Sequence, residues 1–385
     1  MKHQSLILIL ASMLHLSCVA CQNSNGKTNP KIATEFVTSG SDAEDSESTQ
    51  AVSEEPEKSK ADITLSLALT GDIMLGTTYP TVKLPANDGK NVLDDVRELL
   101  LNADVALGNL ECAVTDGGTC TKGSGPNVYA FRTPTVFADR LKEAGYDYLG
   151  LANNHANDFG PIGVQDTEAT LKKLGIAYSG HKGHTPFAII ERNGLKIACM
   201  AFGQNGYSMR NTEYDLLRKT IKDAKAAGAD LVFISLHGGA EGKAQSHIPR
   251  QGHETAFGED RGNLREFAHI AIDAGADLIY GHGPHVTRAV ELYKGRFIAY
   301  SLGNFATPYG MSLTGISGYA PVVTVNINGD GEFLDGQIHS FIQQPGVGPR
   351  KDNSGSVAAE MRKLTYSDID DLQIDVTESG AIVKK

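Results

Sequence analysis

From Ile63 onward the chain alternates two patterns, and this alternation constrains its fold more than any other feature. Short apolar runs occur at Ile63–Thr70, Asp104–Leu107, Tyr146–Leu151, Leu231–Leu236 and Asp277–Tyr280. Between them, Leu93–Leu101, Pro134–Ala144, Val164–Leu174, Leu216–Ala227 and Leu264–Ala274 place apolar residues three and four apart. Runs that short and that uniformly apolar read as strands buried on both faces, and the intervening periodicity reads as amphipathic helix. The expectation is an α/β domain with much parallel pairing. Three hairpins add antiparallel character: Phe187–Arg192 with Lys196–Phe202 about Asn193-Gly194, Val290–Tyr293 with Phe297–Tyr300, and Val322–Ile327 with Phe333–Ser340. Asn-Gly between two apolar runs is a strong two-residue turn signal. The chain beyond about Leu364 follows neither pattern.

The residues just past each strand are chemically richer than the strands themselves. Gly71-Asp72 comes after the first, Gly108-Asn109-Leu110-Glu111 after the second and Ala152-Asn153-Asn154-His155 after the third. His237-Gly238-Gly239 and Gly281-His282-Gly283-Pro284-His285 come after the fourth and fifth. In open α/β sheets ligands bind beyond the carboxyl ends of the strands, so Asp72, Glu111, Asn154, His237, His282 and His285 should converge there, with His155 beside them. Carboxylate, imidazole and amide oxygen without thiolate suit one or two divalent ions such as Mn²⁺, Zn²⁺ or Fe²⁺. Any one of these residues alone reads as a cap, a turn or a satisfied histidine. Six at five successive strand ends read as a metal site.

Composition narrows the partners. The 385 residues carry 35 Lys and Arg against 46 Asp and Glu, a net charge of −11. That balance argues against a nucleic-acid partner, since grip on phosphates needs a basic face. Five cysteines are too few for a disulfide-built scaffold. Cys112 and Cys120, eight apart in a polar loop, either pair or remain free thiols, and Cys199 in an apolar strand reads as packing.

The N-terminus reads as an address. Lys2 precedes the apolar run Leu6–Leu14, which is too short to span a bilayer as a helix. Small residues and Cys18 and Cys21 come next, so residues 1–21 resemble a lipoprotein signal, with Cys21 preferred as the lipidated residue. The expected location is the cell envelope, tethered to the membrane through lipid. Residues 22–60 are rich in Ser, Thr and Glu with acidic clusters such as Asp42, Glu44 and Asp45, and read as a disordered tether. Residues 61–385 form the folded domain.

The strand-end motifs, together with Gly71-Asp72-Ile73-Met74 and Tyr300-Ser301-Leu302-Gly303-Asn304-Phe305, resemble those of the CapA family of poly-γ-glutamate capsule-biosynthesis proteins. That family is a branch of the calcineurin-like metallophosphoesterase superfamily, and the resemblance spans roughly Leu65 to Gln343. It implies a four-layer α/β/β/α sandwich. It also implies Asp72 and His285 on one metal, Glu111 bridging two, and Asn154, His237 and His282 on the second. Water acidified between the metals would be the nucleophile and His155 the general acid, with Asn154 counted among the catalytic residues. Against the wider superfamily, Met74 stands where a metal-binding His is usual and Glu111 replaces an Asp. Two residues rather than one separate His282 from His285.

Substrate contacts are expected from the polar stretch after His237, with Glu241, His253 and Arg261 preferred, and from Arg132 and Arg288 as clamps on an anionic group. The readings left open are an exported metal-dependent hydrolase of a phosphoester or polymer amide, a surface protein retaining an anionic polymer without turnover, and a degenerate scaffold. The partners implied are an anionic polymer or phosphorylated substrate and the capsule-synthesis machinery.

Overall fold

The computed structural model describes Thr34–Glu35 and residues 59–385 apart from 124, 126 and 127. The signal-like segment and Cys21 lie outside the described residues, as does nearly all of the tether. Among the described residues no helix is long and apolar enough to cross a membrane.

Two sheets form the centre. The first runs Ile374–Val376, Ala381–Lys384, Phe333–His339, Val322–Asn328, Thr64–Ile73, Val105–Leu110, Tyr148–Gly150, Ala177–Ser179, with Asn304–Ala306 also beside Thr64–Ile73. The second runs Thr34–Glu35, Ala188–Arg192, Leu195–Phe202, Leu231–His237, Leu278–His282, Arg296–Ala299, Val290–Tyr293. The motif-bearing strands are parallel within each sheet. All three expected hairpins form, and Asn193 (φ 50°) and Gly194 (φ 80°) make the tight turn of the first.

Side-chain alternation explains the layers. Leu67 and Leu69 point between the sheets, where they meet Leu107, Tyr148, Ile197, Phe233, Leu278 and Phe297. Ala68 points the other way, into a core shared with Val96 and Leu100 of α1 (Asp94–Asn102), Leu141 of α2 (Ala138–Ala144) and Leu171 of α3 (Gly160–Leu174). On the far side, Ala198, Val232 and Ile279 pack on Leu217 and Ile221 of α4 (Tyr214–Ala226) and Phe267 of α5 (Leu264–Asp273). Successive residues of a strand face opposite ways, so strands apolar on both faces require a partner layer on each. The result is the expected four-layer sandwich. Local chemistry sets the helix ends: Asn263 accepts from Glu266 N–H at 3.1 Å to cap α5, and Gly175, at φ 65°, ends α3.

Three features go beyond the sequence reading. The first strand runs on through Asp72 to Ile73, because Gly71 lets the backbone pass where a Cβ would sit 2.0 Å from the Gly303 carbonyl oxygen. The C-terminal segment forms α6 (Ser356–Asp368) and two edge strands. Val357 and Met361 of α6 enter the inter-sheet core and Leu364 enters the outer one, so the helix closes the side of the sandwich. Within the acidic tether, Thr34–Glu35 pairs antiparallel with Ala188–Arg192, since an open sheet edge offers unpaired N–H and C=O groups to an extended segment.

Candidate metal centre

The carboxyl ends of both sheets meet at one buried spot. Asp72, one residue before the end of the first strand, lies between Asn109 and Asn304 on its two neighbours. His237 and His282 sit side by side on paired strands of the other sheet. Glu111 comes directly after its strand, and His285 lies in the loop after His282. Asp72, Glu111, His237 and His282 are at most 1% exposed.

Each ligand candidate is held from behind. Asn109 Nδ2 donates to Asp72 Oδ1 at 2.7 Å and lies 3.4 Å from His237 Nδ1. Ser235 Oγ is 2.7 Å from His282 Nε2. Asn304 Oδ1 accepts from His285 Nδ1 at 3.0 Å, while Asn304 Nδ2 donates to the carbonyl of Ser317. His285 has φ 58°, a left-handed conformation costly for a non-glycine residue and typical of functional sites. Asn153 Nδ2 donates to Asn109 Oδ1 and to the Leu110 carbonyl, which anchors the Asn153-Asn154-His155 loop to the centre.

The atoms facing inward have no hydrogen-bond partner. Asp72 Oδ2, both Glu111 oxygens, Asn154 Oδ1, His237 Nε2 and His282 Nδ1 are all buried and unsatisfied. Asp72 Oδ2 lies 3.3 Å from His285 Nδ1, and Glu111 Oε1 lies 3.8 Å from both His237 Nε2 and His285 Nε2. Ligand atoms of Asp72, Glu111 and His285 all fall within 4.8 Å of one another. A buried polar atom left unsatisfied costs about 1–3 kcal/mol. Those of Asp72, Glu111 and His237, gathered around His285, fit a site built for divalent cations, whose charge satisfies them together.

The electrostatics agree with that fit. Burial pushes His282 down to about 4 and His237 well below its ordinary value, so both imidazoles are neutral and ready to ligate. Burial and the neighbouring Asp72 charge raise Glu111 well above the carboxylate range. For Asp72 burial works upward, but the neighbouring His285, 3.3 Å away, outweighs it and holds the group low. His285 resists its own burial through Glu111 and Asp72 and rises to about 10.

His155 lies beside the centre, 5% exposed, with its ring 4.3 Å from that of Phe131. Its Nδ1 is 2.8 Å from Asp158 Oδ2 and 3.0 Å from Lys122 Nζ, and Lys122 in turn pairs with Asp158 Oδ1 at 2.8 Å. Burial lowers the His155 pKa, with Asp158 opposing. Asp158, Asn109, Asn153 and Ser235 escape a reading by residue type. The available signal for Asp158 was its position three residues after His155, and Asn109 and Asn153 lie inside the motifs themselves.

The expected substrate residues divide. Glu241 Oε2 lies 3.8 Å from His285 Nε2, next to the centre. Arg261 is 2% exposed and is used internally, by Glu241 Oε1 at 2.8 Å and Glu259 Oε2 at 3.3 Å. His253 is exposed and binds Asp260 at 2.9 Å, beside the hairpin Glu254–Ala256/Glu259–Gly262. Arg132 donates from Nε to Thr78 Oγ1 and lies over the Phe159 ring. Arg288 corrects the expectation of an anion clamp. It is wholly buried, with both terminal nitrogens on Glu254 and Nε on the Gln245 carbonyl, because a buried guanidinium needs its charge paired. Cys112, Cys120 and Cys199 are free thiols.

A two-sheet α/β sandwich with histidine, carboxylate and amide groups gathered at its strand ends defines the class: a layered α/β protein with a candidate metal centre. Within that class, the chain belongs to the bacterial capsule synthesis protein family PGA_cap, whose family model matches residues 66–309. It is 32% identical over 287 residues to the capsule biosynthesis protein CapA of Bacillus anthracis, covering 69% of this chain and 65% of that protein. It is 30% identical over 272 residues to the PGA biosynthesis protein CapA of Bacillus subtilis (strain 168), covering 67% of each. The chain thus spans about two thirds of the length of these relatives. Among solved structures, the calcineurin-like phosphoesterase YfkN from Bacillus subtilis matches with a TM-score of 0.43 at 15% identity, covering 79% of this chain and 98% of that one.

Proposed function

We propose that this protein is an envelope-anchored, metal-dependent hydrolase of capsule or poly-γ-glutamate biosynthesis, acting on a phosphoester or a polymer amide bond. The observation that carries the reading is that the buried, unsatisfied ligand atoms of Asp72, Glu111 and His237 gather around His285. Asp72, Glu111, Asn154, His237, His282 and His285 would hold one or two divalent ions. Such ions supply Lewis-acid stabilisation of charge developing on a phosphoryl or carbonyl oxygen.

The chain's own residues supply the rest. Hydrolysis delivers an oxygen to phosphorus or carbonyl carbon and a proton to the departing oxygen or nitrogen. His155 is the group for that proton. Asp158 takes up Nδ1 and fixes the ring, leaving Nε2 for the leaving group. Phe131 covers one face of the imidazole and limits water there. Glu241 beside His285 borders the substrate side, with His253 and Arg132 further out.

The test is a screen of Mn²⁺- or Zn²⁺-loaded protein against phosphodiesters, phosphomonoesters and γ-glutamyl peptides. Turnover should require metal and should fall about 10²–10⁴-fold in His155→Ala, with retention of the fold checked by circular dichroism. Full turnover in that variant, or absence of stoichiometric metal, overturns the reading. The second reading, retention of an anionic polymer without turnover, draws on Met74. It lies wholly buried in the apolar core under α1–α3 and adds no ligand to the Asp72 side. Metal-dependent hydrolysis abolished by Asn154→Ala would eliminate that alternative.

A further inference from the structure

A second group of metal-ligand side chains lies outside the centre described above. Glu168 projects from α3, and His181 and His184 lie in the loop after the strand Ala177–Ser179. Glu168 Oε1 is 2.6 Å from His181 Nδ1, and Oε2 is 3.2 Å from His184 Nδ1. One ligand atom from each falls within 4.8 Å of the other two. In His181-Lys182-Gly183-His184, Gly183 at φ 78° turns the backbone so that both rings face one carboxylate. Burial works to raise Glu168, but its hydrogen bonds to the two imidazoles outweigh that and keep it ionised.

His181 is 4% exposed and its Nε2 is buried without a hydrogen-bond partner. As a simple hydrogen-bonded ring it gives Nδ1–H to Glu168 and leaves that nitrogen idle. With a cation on Nδ1 the ring proton moves to Nε2. The neighbouring segment, bridged to His181 through Ser208, carries two buried acceptors without partners, Ser208 Oγ and Asn205 Oδ1.

We propose that Glu168, His181 and His184 form a second cation site of the zinc class, with three protein ligands and a fourth position open to water. The site would act as a strut. It ties α3 to the 181–184 loop, whose Lys182 N–H bonds the Tyr207 carbonyl at 2.8 Å, and Tyr207 Oη donates to the Asn153 carbonyl at 3.2 Å. A cation there stiffens the wall behind Asn154 without touching the centre.

The test uses untagged, chelator-stripped protein titrated with ZnCl₂, read by calorimetry, elemental analysis and the visible absorption of the Co²⁺ form. His184 is exposed, so His184→Ala should fold normally, which circular dichroism checks. Wild type should hold one more zinc than His184→Ala, whose affinity at this site should fall at least about 100-fold. An Asp72→Asn/His282→Ala double variant, emptied at the centre, should still take up one zinc and gain thermal stability from it. Equal stoichiometry and an equal zinc-induced Tm shift in wild type and His184→Ala would overturn the proposal, whatever becomes of the hydrolase reading.

Discussion

The two halves of the candidate centre are built differently. His237 and His282 stand on adjacent central strands, and their outward ring nitrogens lie beside uncharged groups, Asn109 Nδ2 and Ser235 Oγ. Burial keeps both neutral, so a cation can bind without displacing a proton from either. Across from them, Asp72, Glu111 and His285 form an acidic pair around a loop histidine that burial fails to neutralise. There the proton on His285 does part of the work a cation would do. The expectation is that an ion enters first on the histidine side and that a second must compete with that proton, which a two-step metal titration would check.

Breaking the histidine side should have the largest effect. In His282→Ala the metal affinity of the tighter site should drop by more than about 100-fold, a loss elemental analysis after dialysis would register. Ser235→Ala leaves every ligand in place but frees the His282 ring, and should cost about 10–100-fold in the same measurement. Unchanged affinity in Ser235→Ala would mean the ring is oriented by packing alone. Met74→Ala probes the opposite half: it should lose about 2–5 kcal/mol of stability by denaturant unfolding yet bind the same number of ions. A change in stoichiometry would show that the thioether matters to the metal.

The gentlest test is pH, and the two halves should respond in opposite senses when metal is absent. His282, lowered to about 4, contributes stability that is complete above its unfolded value near 6.5 and drains as pH falls toward 4. His285, raised to about 10, contributes stability that is complete below 6.5 and drains as pH climbs toward 10. Chelator-treated His282→Gln should flatten the acid limb and leave the alkaline one, whereas His285→Gln should flatten the alkaline limb and also weaken the acid one, because Asp72 loses the partner that holds it low. Loss of the alkaline limb in His282→Gln would mean the halves titrate as one unit.

Much of this architecture is legible in the residues alone. The strands announce themselves because both faces are buried, and the ligands announce themselves because polar residues cluster after those strands. Asn193-Gly194 specified its turn outright. Relations between distant residues escaped. Nothing local to Arg288 says that Glu254 will neutralise it inside the protein, and nothing local to Ser235 says that His282 lies beside it. The chain after Leu364 was opaque for a related reason. Ile374–Val376 and Ala381–Lys384 extend the sheet edge, where half-exposed strands carry no clean apolar pattern.

One consequence concerns the order in which the molecule is made. The strand bearing Asp72 pairs on one side with Val105–Leu110, which the ribosome supplies soon after, but on the other with Asn304–Ala306 at Asp72 and Val322–Asn328 along Thr64–Leu69, both made much later. Pairings between remote parts of a chain form late. A nascent polypeptide that has emerged only through His285 still lacks Asn304–Ala306, the flank that pairs with Asp72. Synthesis past Asn304–Ala306 and Val322–Asn328, rather than appearance of His285, is therefore the expected point at which the centre can assemble.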